Sequence, residues 1–233
     1  MKISAAFGSV SIQLASPELI KKTAYGEVKK ADTIVYRTQK PDRDGLFCEK
    51  IFGPIRDYEC SCGKFKSIRY KGVVCDRCGV EITESKVRRQ RTGYIALATP
   101  VAHIWYYRIV PSKLALILDI SSSDVQSVLY FEKYIVIDPG ETDLLPKQVL
   151  TDEYEDYREK YQETFVADTG AAAIKKILQN MDLDSEISLL RAEITGKASS
   201  KVDKKVLKRL ELLEEIRASG NKLEWMILDV IPV

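Results

Sequence analysis

Residues 57–64 read Asp57-Tyr58-Glu59-Cys60-Ser61-Cys62-Gly63-Lys64, and residues 75–79 read Cys75-Asp76-Arg77-Cys78-Gly79, with twelve residues between the two pairs of cysteines. Four thiolates at about 2.3 Å complete the tetrahedral coordination of zinc and leave no open position for water or substrate. A glycine follows each pair, where a tight turn lets backbone N–H groups approach the sulfurs. The spacing therefore predicts one structural zinc ion, bound by Cys60, Cys62, Cys75 and Cys78.

Two other interpretations of these cysteines remain open from the sequence. One is a disulfide pair. The other is a redox motif at Cys75-Asp76-Arg77-Cys78, which lacks a strand–helix context and has a second cysteine pair nearby. The first pair is Cys-x-Cys and not the Cys-x-x-Cys of most zinc ribbons. We interpret the fifth cysteine, Cys48, as a buried small apolar residue and not as a ligand.

The charge of the chain is distributed unevenly. Its 36 Lys and Arg nearly balance its 34 Asp and Glu, for a net charge of +2. Residues 64–91 nevertheless carry nine basic side chains against three acidic ones, whereas residues 138–168 carry ten acidic against three basic. A near-neutral total thus conceals a basic module and an acidic one, and only the basic module favours a nucleic-acid partner.

The basic residues beside the cysteines alternate with Tyr58, Phe65, Tyr70 and Tyr94. Such a surface suits the neutralisation of phosphates with occasional stacking of bases, although a solvated basic face is the alternative. Sequence-specific reading of bases is not indicated, because the basic residues do not lie on a recognition helix. The candidate nucleic-acid contacts here are Lys64, Lys66, Arg69, Lys71, Arg88 and Arg89.

Hydrophobic periodicity and cap signals predict an α+β fold of short strands with a long helical hairpin. Strands are predicted at 9–14, 68–74, 80–87, 94–98, 104–110, 134–137 and 224–233. Helices are predicted from Ser16-Pro17 onward, at 113–118, 123–129 and 151–161, and in two stripes at 174–194 and 202–213 that make the hairpin, with a break at 196–200. Residues 26–50 are predicted to form an extended arm rich in turns.

Several functions lack their signals in this sequence. There is no apolar run of about 18 residues to span a bilayer and no secretory signal, so we expect a cytoplasmic protein without a membrane partner. Phosphate loops, nucleophile elbows and complete catalytic sets are not found. The single histidine, His103, is expected to pack in the interior. Because the chain ends on the apolar run 224–233, we expect a fragment of a longer protein.

The combined pattern resembles the amino terminus of the β′ subunit of bacterial DNA-directed RNA polymerase. The resemblance rests on Tyr36-Arg37-Thr38, Lys40-Pro41-Asp42-Arg43-Asp44-Gly45-Leu46-Phe47, the cysteine segments with their Cys-x-Cys, Pro100-Val101-Ala102-His103-Ile104-Trp105 and Gly220-Asn221-Lys222-Leu223-Glu224-Trp225. It covers essentially the whole chain. It turns the unusual spacing of the first cysteine pair into a family feature.

The resemblance implies a segment of the polymerase clamp, with the four cysteines as zinc ligands and with Tyr36 and Arg37 on an arm that contacts upstream promoter DNA. It implies the β, α and ω subunits, sigma factor, promoter DNA and nascent RNA as partners, and a regulator on the acidic toe. The family's catalytic Mg²⁺ motif would lie beyond Val233, so nucleotidyl transfer would belong to the whole assembly. The implied domains are a clamp base at 1–25, a zipper-like arm at 26–50, a zinc-binding domain at 51–93, a clamp body at 94–133, a clamp toe at 134–169, and a hairpin with return strand at 170–233.

Two rival hypotheses come from other functional classes. The chain could be a free-standing zinc-ribbon factor that binds nucleic acid, or a scaffold whose acidic segment and helical hairpin bind a regulator. The apolar end at 224–233 argues against the free-standing factor.

Overall fold

The computed structural model describes residues 8–10, 12–151, 153–161, 164–196 and 203–233. The chain divides into two compact units. We call Ala15–Ala98 with Asp229–Val233 the cysteine unit, and the residues up to Leu14 with Thr99–Leu228 the helical unit. The α+β class predicted from the sequence is confirmed, because both helices and small sheets are present.

The cysteine unit begins with a capped helix and a small hairpin. Helix α1 spans Pro17–Thr23, and the Ser16 hydroxyl accepts a hydrogen bond from the Leu19 N–H at 3.1 Å, as the cap signal predicted. Strands β1 (Ile34–Val35) and β2 (Lys40–Pro41) pair antiparallel. Helix α2 (Glu49–Phe52) follows. The arm expected at 26–50 is therefore extended and rich in turns up to α2.

Two small cores stabilise this unit. Val28, Cys48, Ile51 and Phe52 form the first. The second consists of Cys60, Cys75, Val80 and Ile82 and lies within residues 57–85, which we call the cysteine module. At its base, the backbone N–H and the hydroxyl of Ser85 both donate to Asp57 Oδ1 at 2.7 Å. With so few buried apolar side chains, the module has little packing energy of its own.

The strands predicted at 68–74 and 80–87 are wrong. Ile68–Tyr70 and Ser85–Arg89 form 3-10 helices, and the only β pairing of the module is the bridge between Val74 and Glu81. The chain has to bend sharply to bring the two cysteine pairs together. Its N–H groups therefore enter turns, as when Gly79 donates to the carbonyl of Cys75 at 2.8 Å.

Among the residues that the structure describes, the helical unit contains seven α-helices, a 3-10 helix at Leu223–Met226 in place of the start of the strand predicted at 224–233, and a three-stranded antiparallel sheet in the order β5-β4-β6. Strand β3 (Tyr94–Ala102) pairs with β7 (Ile227–Pro232), and each has residues in both units. The other strands are β4 (Tyr134–Asp138), β5 (Val149–Leu150) and β6 (Val166–Asp168). The helices are α3 (Ile104–Tyr107), α4 (Lys113–Leu118), α5 (Ser122–Leu129), α6 (Glu153–Tyr161), α7 (Gly170–Asn180), α8 (Leu183–Gly196) and α9 (Lys204–Ser219).

The main core of this unit lies among α4, α5, α7, α8 and α9, and the fully buried side chains include Leu114, Ile117, Val125, Ile174 and Leu213. The caps follow local chemistry, because the Ser112 and Ser121 hydroxyls accept hydrogen bonds from the first turns of α4 and α5. Helix α9 ends at Ser219 and is capped by Gly220 in the left-handed conformation. The helices predicted at 113–118 and 123–129 are thus confirmed. Helices α8 and α9 form the hairpin, but the stripe predicted at 174–194 is wrong as one helix, because the chain breaks at 181–182 between α7 and α8.

A buried strand at 104–110 is a wrong prediction. Residues Ile104–Tyr107 form the short helix α3, started by His103, whose Nδ1 accepts a hydrogen bond from the Trp105 N–H at 3.1 Å. Ile104, Trp105, Ile109 and Val110 are exposed and lie in none of the described strands, whereas Tyr106 and Tyr107 are half-buried against the main core.

The remaining expectations concern the ends of elements. Residues 8–10 and 12–14 form no strand, and the Leu14 N–H donates to the side chain of Asn221. Asp152, Val202 and the hairpin break at 197–200 lie outside the described residues. None of the described helices combines the length and apolar content needed to cross a membrane.

Candidate metal centre and nucleic-acid interface

The four predicted ligands converge in the cysteine module. Cys62 Sγ lies 3.5 Å from Cys60 Sγ and 3.6 Å from Cys75 Sγ, and the four sulfurs, including that of Cys78, all lie within 4.8 Å of one another. Cys60 and Cys75 are buried, and the other two are half-buried. All four are free thiols at these separations. Within the part of the chain that the structure describes, no other cluster of His, Cys, Asp or Glu has this geometry.

Tight turns aim backbone N–H groups at the sulfurs. Gly63 and Gly79 have φ of +76° and +73°, a conformation that a residue with a Cβ rarely adopts. The turn at Gly63 brings the Phe65 N–H to 3.3 Å from Cys60 Sγ, to which it donates. The approach of N–H groups to the sulfurs, predicted from the two glycines, is therefore confirmed at this ligand.

The thiols differ in acidity. Burial raises the pKa of Cys75, but the N–H groups of Cys78 and Arg77 and the neighbouring thiols lower it to about 7, below its usual 9.0. For Cys62, the Lys64 N–H lowers the pKa, but burial and hydrogen bonds with the other three cysteines outweigh it and raise the pKa to about 11. A cation that binds four thiolates must therefore displace protons from the cluster.

The donor set fits a divalent metal ion that prefers sulfur. Four sulfurs at about 2.3 Å from a common centre lie about 3.8 Å apart at tetrahedral geometry. Two of the Sγ–Sγ distances, at 3.5 and 3.6 Å, are close to this tetrahedral value. The other Sγ–Sγ distances are no longer than 4.8 Å. These four cysteines could hold a metal ion if the sulfur separations change by no more than about 1 Å.

Cys48 lies apart from this cluster. Its side chain is 2% exposed and packs with Val28, Ile51 and Phe52. The interpretation of Cys48 as a buried apolar residue agrees with this packing.

Three of the six cations predicted beside the cysteines are held by the protein itself. Lys64 Nζ lies 2.7 Å from the carboxylate of Asp76, and this hydrogen bond lowers the pKa of Asp76. Lys66 Nζ lies 3.4 Å from Glu59. Arg88 donates to the carbonyl oxygens of Gly53 and Phe47, so its guanidinium joins two loops. Arg88 therefore has a structural role that a basic-residue count does not reveal, whereas the exposed ion pairs of Lys64 and Lys66 contribute little to stability.

The other three cations remain available. Arg69, Lys71 and Arg89 are exposed, and none of them has an ion pair with a described residue. Arg69 and Lys71 flank Tyr70 in a segment where Ile68, Val73 and Val74 are exposed too. The exposed loop at 68–74 thus combines positive charge with an aromatic ring, as a phosphate-binding and stacking surface requires.

Tyr36 and Arg37 lie at the tip of the β1–β2 hairpin. The Tyr36 side chain is 92% exposed, and its carbonyl accepts a hydrogen bond from the Gln39 side chain at 2.8 Å. Lys40 Nζ, on β2, donates to the carbonyl of Ser61 at 3.0 Å. Because Ser61 lies between two of the cysteines, this bond ties the hairpin to the cysteine module.

Sequence reasoning missed one basic residue of this surface. Arg77 is exposed and has no ion pair with a described residue. Its position between Cys75 and Cys78 was the available signal, because a two-residue turn between ligands faces solvent.

Two further predicted features lie in the helical unit. The acidic side chains Glu153, Glu155, Asp156 and Glu159 of α6 are exposed, whereas Tyr154 and Tyr157 pack towards the small core around Val136. The acidic run is therefore the solvent face of an amphipathic helix.

His103 is half-buried and caps α3, which agrees with a packing role.

Comparison with known proteins places these features in one family. Residues 4–233 match the family model described as RNA polymerase Rpb1, domain 1. The chain is 60% identical over 228 residues to the DNA-directed RNA polymerase subunit beta' of Treponema denticola, 58% identical to that of Treponema pallidum and 56% identical to that of Borrelia turicatae.

Each alignment covers 97% of this chain and 16% of the relative, so the chain spans about one-sixth of the length of these subunits. The match extends through both the cysteine unit and the helical unit. This chain therefore belongs to the family of RNA polymerase Rpb1 domain 1, and nearly its whole length is similar to a segment of bacterial β′ subunits.

Proposed function

We propose that this chain is the amino-terminal part of the β′ subunit of a bacterial DNA-directed RNA polymerase, where it forms the start of the clamp. The 60% identity over 97% of the chain is the observation that carries this proposal. In the proposed assembly the chain acts in the cytoplasm with the β, α and ω subunits and with sigma factor. Nucleotidyl transfer, with its Mg²⁺, is then the work of the whole enzyme.

The proposal gives the segments of the chain distinct roles. Residues 1–25 are the clamp base, 26–50 the zipper-like arm, 51–93 the zinc-binding domain, 94–133 the clamp body, 134–169 the toe and 170–233 the hairpin with its return strand. The solvent-facing acids of α6 support a regulator-binding role for the toe. Their exposure leaves them accessible to a basic partner.

The metal in the cysteine module is zinc in this proposal. The sulfur-only donor set favours zinc over magnesium or calcium, which prefer oxygen ligands. Four protein ligands leave no site for water, so the ion is structural and takes no part in catalysis.

The proposed nucleic-acid interface consists of the exposed cations and the hairpin tip. Arg69, Lys71 and Arg89 supply charge for phosphates, and Tyr36 with Arg37 contacts upstream promoter DNA. Lys64, Lys66 and Arg88, which the sequence also suggested, contribute to the local field while their donors hold the module together. Nascent RNA is the second proposed ligand of this surface.

The arm provides the test of this function. In the assembled polymerase, Tyr36→Ala with Arg37→Ala is expected to weaken binding to promoter DNA by roughly fivefold to tenfold at about 0.1 M salt, because one phosphate contact and one exposed ring are lost. The measurement is a titration of labelled promoter DNA at several salt concentrations.

The matched control is Tyr36→Phe with Arg37→Lys, which retains the ring and the charge and is expected to bind almost as the wild type does. An Ala variant whose affinity and salt dependence equal those of the wild type would rule out the DNA role of the arm.

A further inference from the structure

One contact between side chains joins the two cysteine turns at the surface of the module. Lys64 follows the first cysteine pair, and Asp76 lies within the second. Lys64 Nζ donates to both carboxylate oxygens of Asp76, at 2.7 Å each. Solvent reaches both side chains, since Lys64 is 45% exposed and Asp76 is 71% exposed. An ion pair with this exposure contributes little to folding stability, so any larger effect must come from the charges beside the sulfurs.

Asp76 places a negative charge next to one of the predicted ligands. Its Oδ1 lies 3.9 Å from Cys75 Sγ. A carboxylate and a thiolate at this distance repel each other, and the repulsion grows as the local dielectric constant falls. Cys75 is 1% exposed, so water screens its sulfur only weakly. Asp76 by itself would therefore oppose the deprotonation of Cys75 that metal binding requires.

Metal binding makes the cysteine cluster more negative. Four thiolates exceed the charge of one divalent cation by about two, whereas four protonated thiols are neutral. A neighbouring cation therefore stabilises the metal-bound form, and a neighbouring anion destabilises it.

Lys64 is held where it can supply the compensating charge. Besides its contact with Asp76, its Nζ lies 5.4 Å from the centre of the Phe65 ring. The Phe65 backbone is fixed in turn, because its N–H donates to Cys60 Sγ at 3.3 Å. The cation is thus tied to the first cysteine turn, while the anion that it neutralises belongs to the second.

We propose that Lys64 slows the loss of metal from the cysteine module by neutralising Asp76 beside the thiolates. This inference rests on the proposed function of the module as a structural zinc site. Lys64 is not a ligand here and acts only through its charge. The alternative is a mechanical link between the two turns. A mechanical link requires both Lys64 and Asp76, whereas charge balance requires Lys64 only as long as Asp76 is present.

The rate of metal loss is measured in the assembled polymerase. The enzyme is incubated with a zinc chelator and N-ethylmaleimide, and alkylation of the four cysteines is followed by peptide mass spectrometry, which separates them from other cysteines of the assembly. Lys64→Gln leaves Asp76 without its cation, so we expect alkylation about threefold to fivefold faster than in the wild type. Lys64→Arg retains the charge and is expected to restore the wild-type rate.

Asp76→Asn separates the charge from the mechanical link. It breaks the same ion pair but also removes the anion, so we expect alkylation no faster than in the wild type. Lys64→Gln combined with Asp76→Asn is expected to return towards the wild-type rate. The effect of Lys64→Gln should shrink at about 1 M salt, where charges are screened beyond about 3 Å.

The matched control is Lys86→Gln. Lys86 also forms an exposed ion pair, with Glu84 at 3.8 Å, and its loss removes one positive charge away from the two cysteine turns. We expect this variant to lose metal at the wild-type rate.

Two results would overturn the proposal. One is a wild-type rate in Lys64→Gln. The other is equal acceleration by Lys64→Gln and Asp76→Asn, because the link and not the charge would then retain the metal. Rapid alkylation of the wild-type module without chelator, together with absence of zinc, would contradict the proposed zinc site itself. A wild-type module that holds zinc, with an unchanged rate in Lys64→Gln, would contradict only the role of Lys64.

Discussion

A chain that carries Cys75→Ser is expected to lose its metal ion and the structure of the cysteine module together. Cys75 is buried, and its sulfur lies 3.6 Å from that of Cys62. The module has only four buried core residues, two of them cysteines, so packing cannot replace the metal. Binding of structural zinc is worth about 10–16 kcal/mol at pH 7, which is comparable with the whole stability of a folded domain. Amides in residues 57–85 should therefore exchange with solvent at the rates of an unfolded chain.

The control for this experiment is Cys48→Ser. Cys48 is as buried as Cys75 but lies in the neighbouring core. Its replacement is expected to cost about 1–3 kcal/mol for a buried hydroxyl and to leave one metal per chain and slow exchange in the module. Metal content and hydrogen–deuterium exchange are measured on the same samples. Loss of the metal from Cys75→Ser with unchanged exchange would refute the structural role of the ion.

The second large effect is expected at Arg209, the buried cation of the helical unit. Its guanidinium donates to the carbonyl of Ile117 at 3.2 Å and to Glu186 at 2.9 Å, and it lies 3.6 Å from Asp119. It therefore joins α9 to the end of α4 and to α8. Arg209→Leu leaves the Ile117 carbonyl without this donor and removes the charge between two carboxylates. We expect a loss of about 2–3 kcal/mol, kept moderate because both carboxylates are partly exposed.

Arg191 on α8 provides the comparison, because it also pairs with a glutamate of the hairpin, Glu214, at 2.6 Å but is exposed. Arg191→Leu is expected to change stability by no more than about 0.5 kcal/mol. Urea dependence of hydrogen exchange in α8 and α9 measures both variants. Similar small losses in the two variants would show that burial of Arg209 contributes nothing to the hairpin.

Local signals in the sequence predicted local structure well. The start of α1 follows from Ser16 as a cap with Pro17 at the first helical position, and the four cysteines converge because two short turns leave them little freedom. The cap depends on residues within a few positions of one another, and the two cysteine pairs are separated by only twelve residues.

The prediction failed where the outcome depends on distant partners. The β-forming residues at 104–110 have no strand to pair with, so the His103 cap and the following turn make a helix there. Distant partners also decide which of the cations are bound by the protein. Asp76 binds Lys64, and two carbonyls distant in the sequence bind Arg88, whereas Arg69 has no ion pair with a described residue. Nothing in the local sequence distinguishes these cations.

The salt dependence of nucleic-acid binding tests most directly the claim that the cysteine module presents free cations to nucleic acid in a polymerase. Two double variants of the assembled polymerase are compared. One carries Arg69→Gln together with Lys71→Gln. The control carries Lys204→Gln together with Lys208→Gln, at two exposed lysines of α9. Each phosphate contact contributes about 0.9 to the slope of log Kobs against log salt on duplex DNA, so the first variant is expected to have a slope smaller in magnitude by about 1.8. The control pair is expected to leave the slope as it is. An unchanged slope in the Arg69 and Lys71 variant would contradict the account.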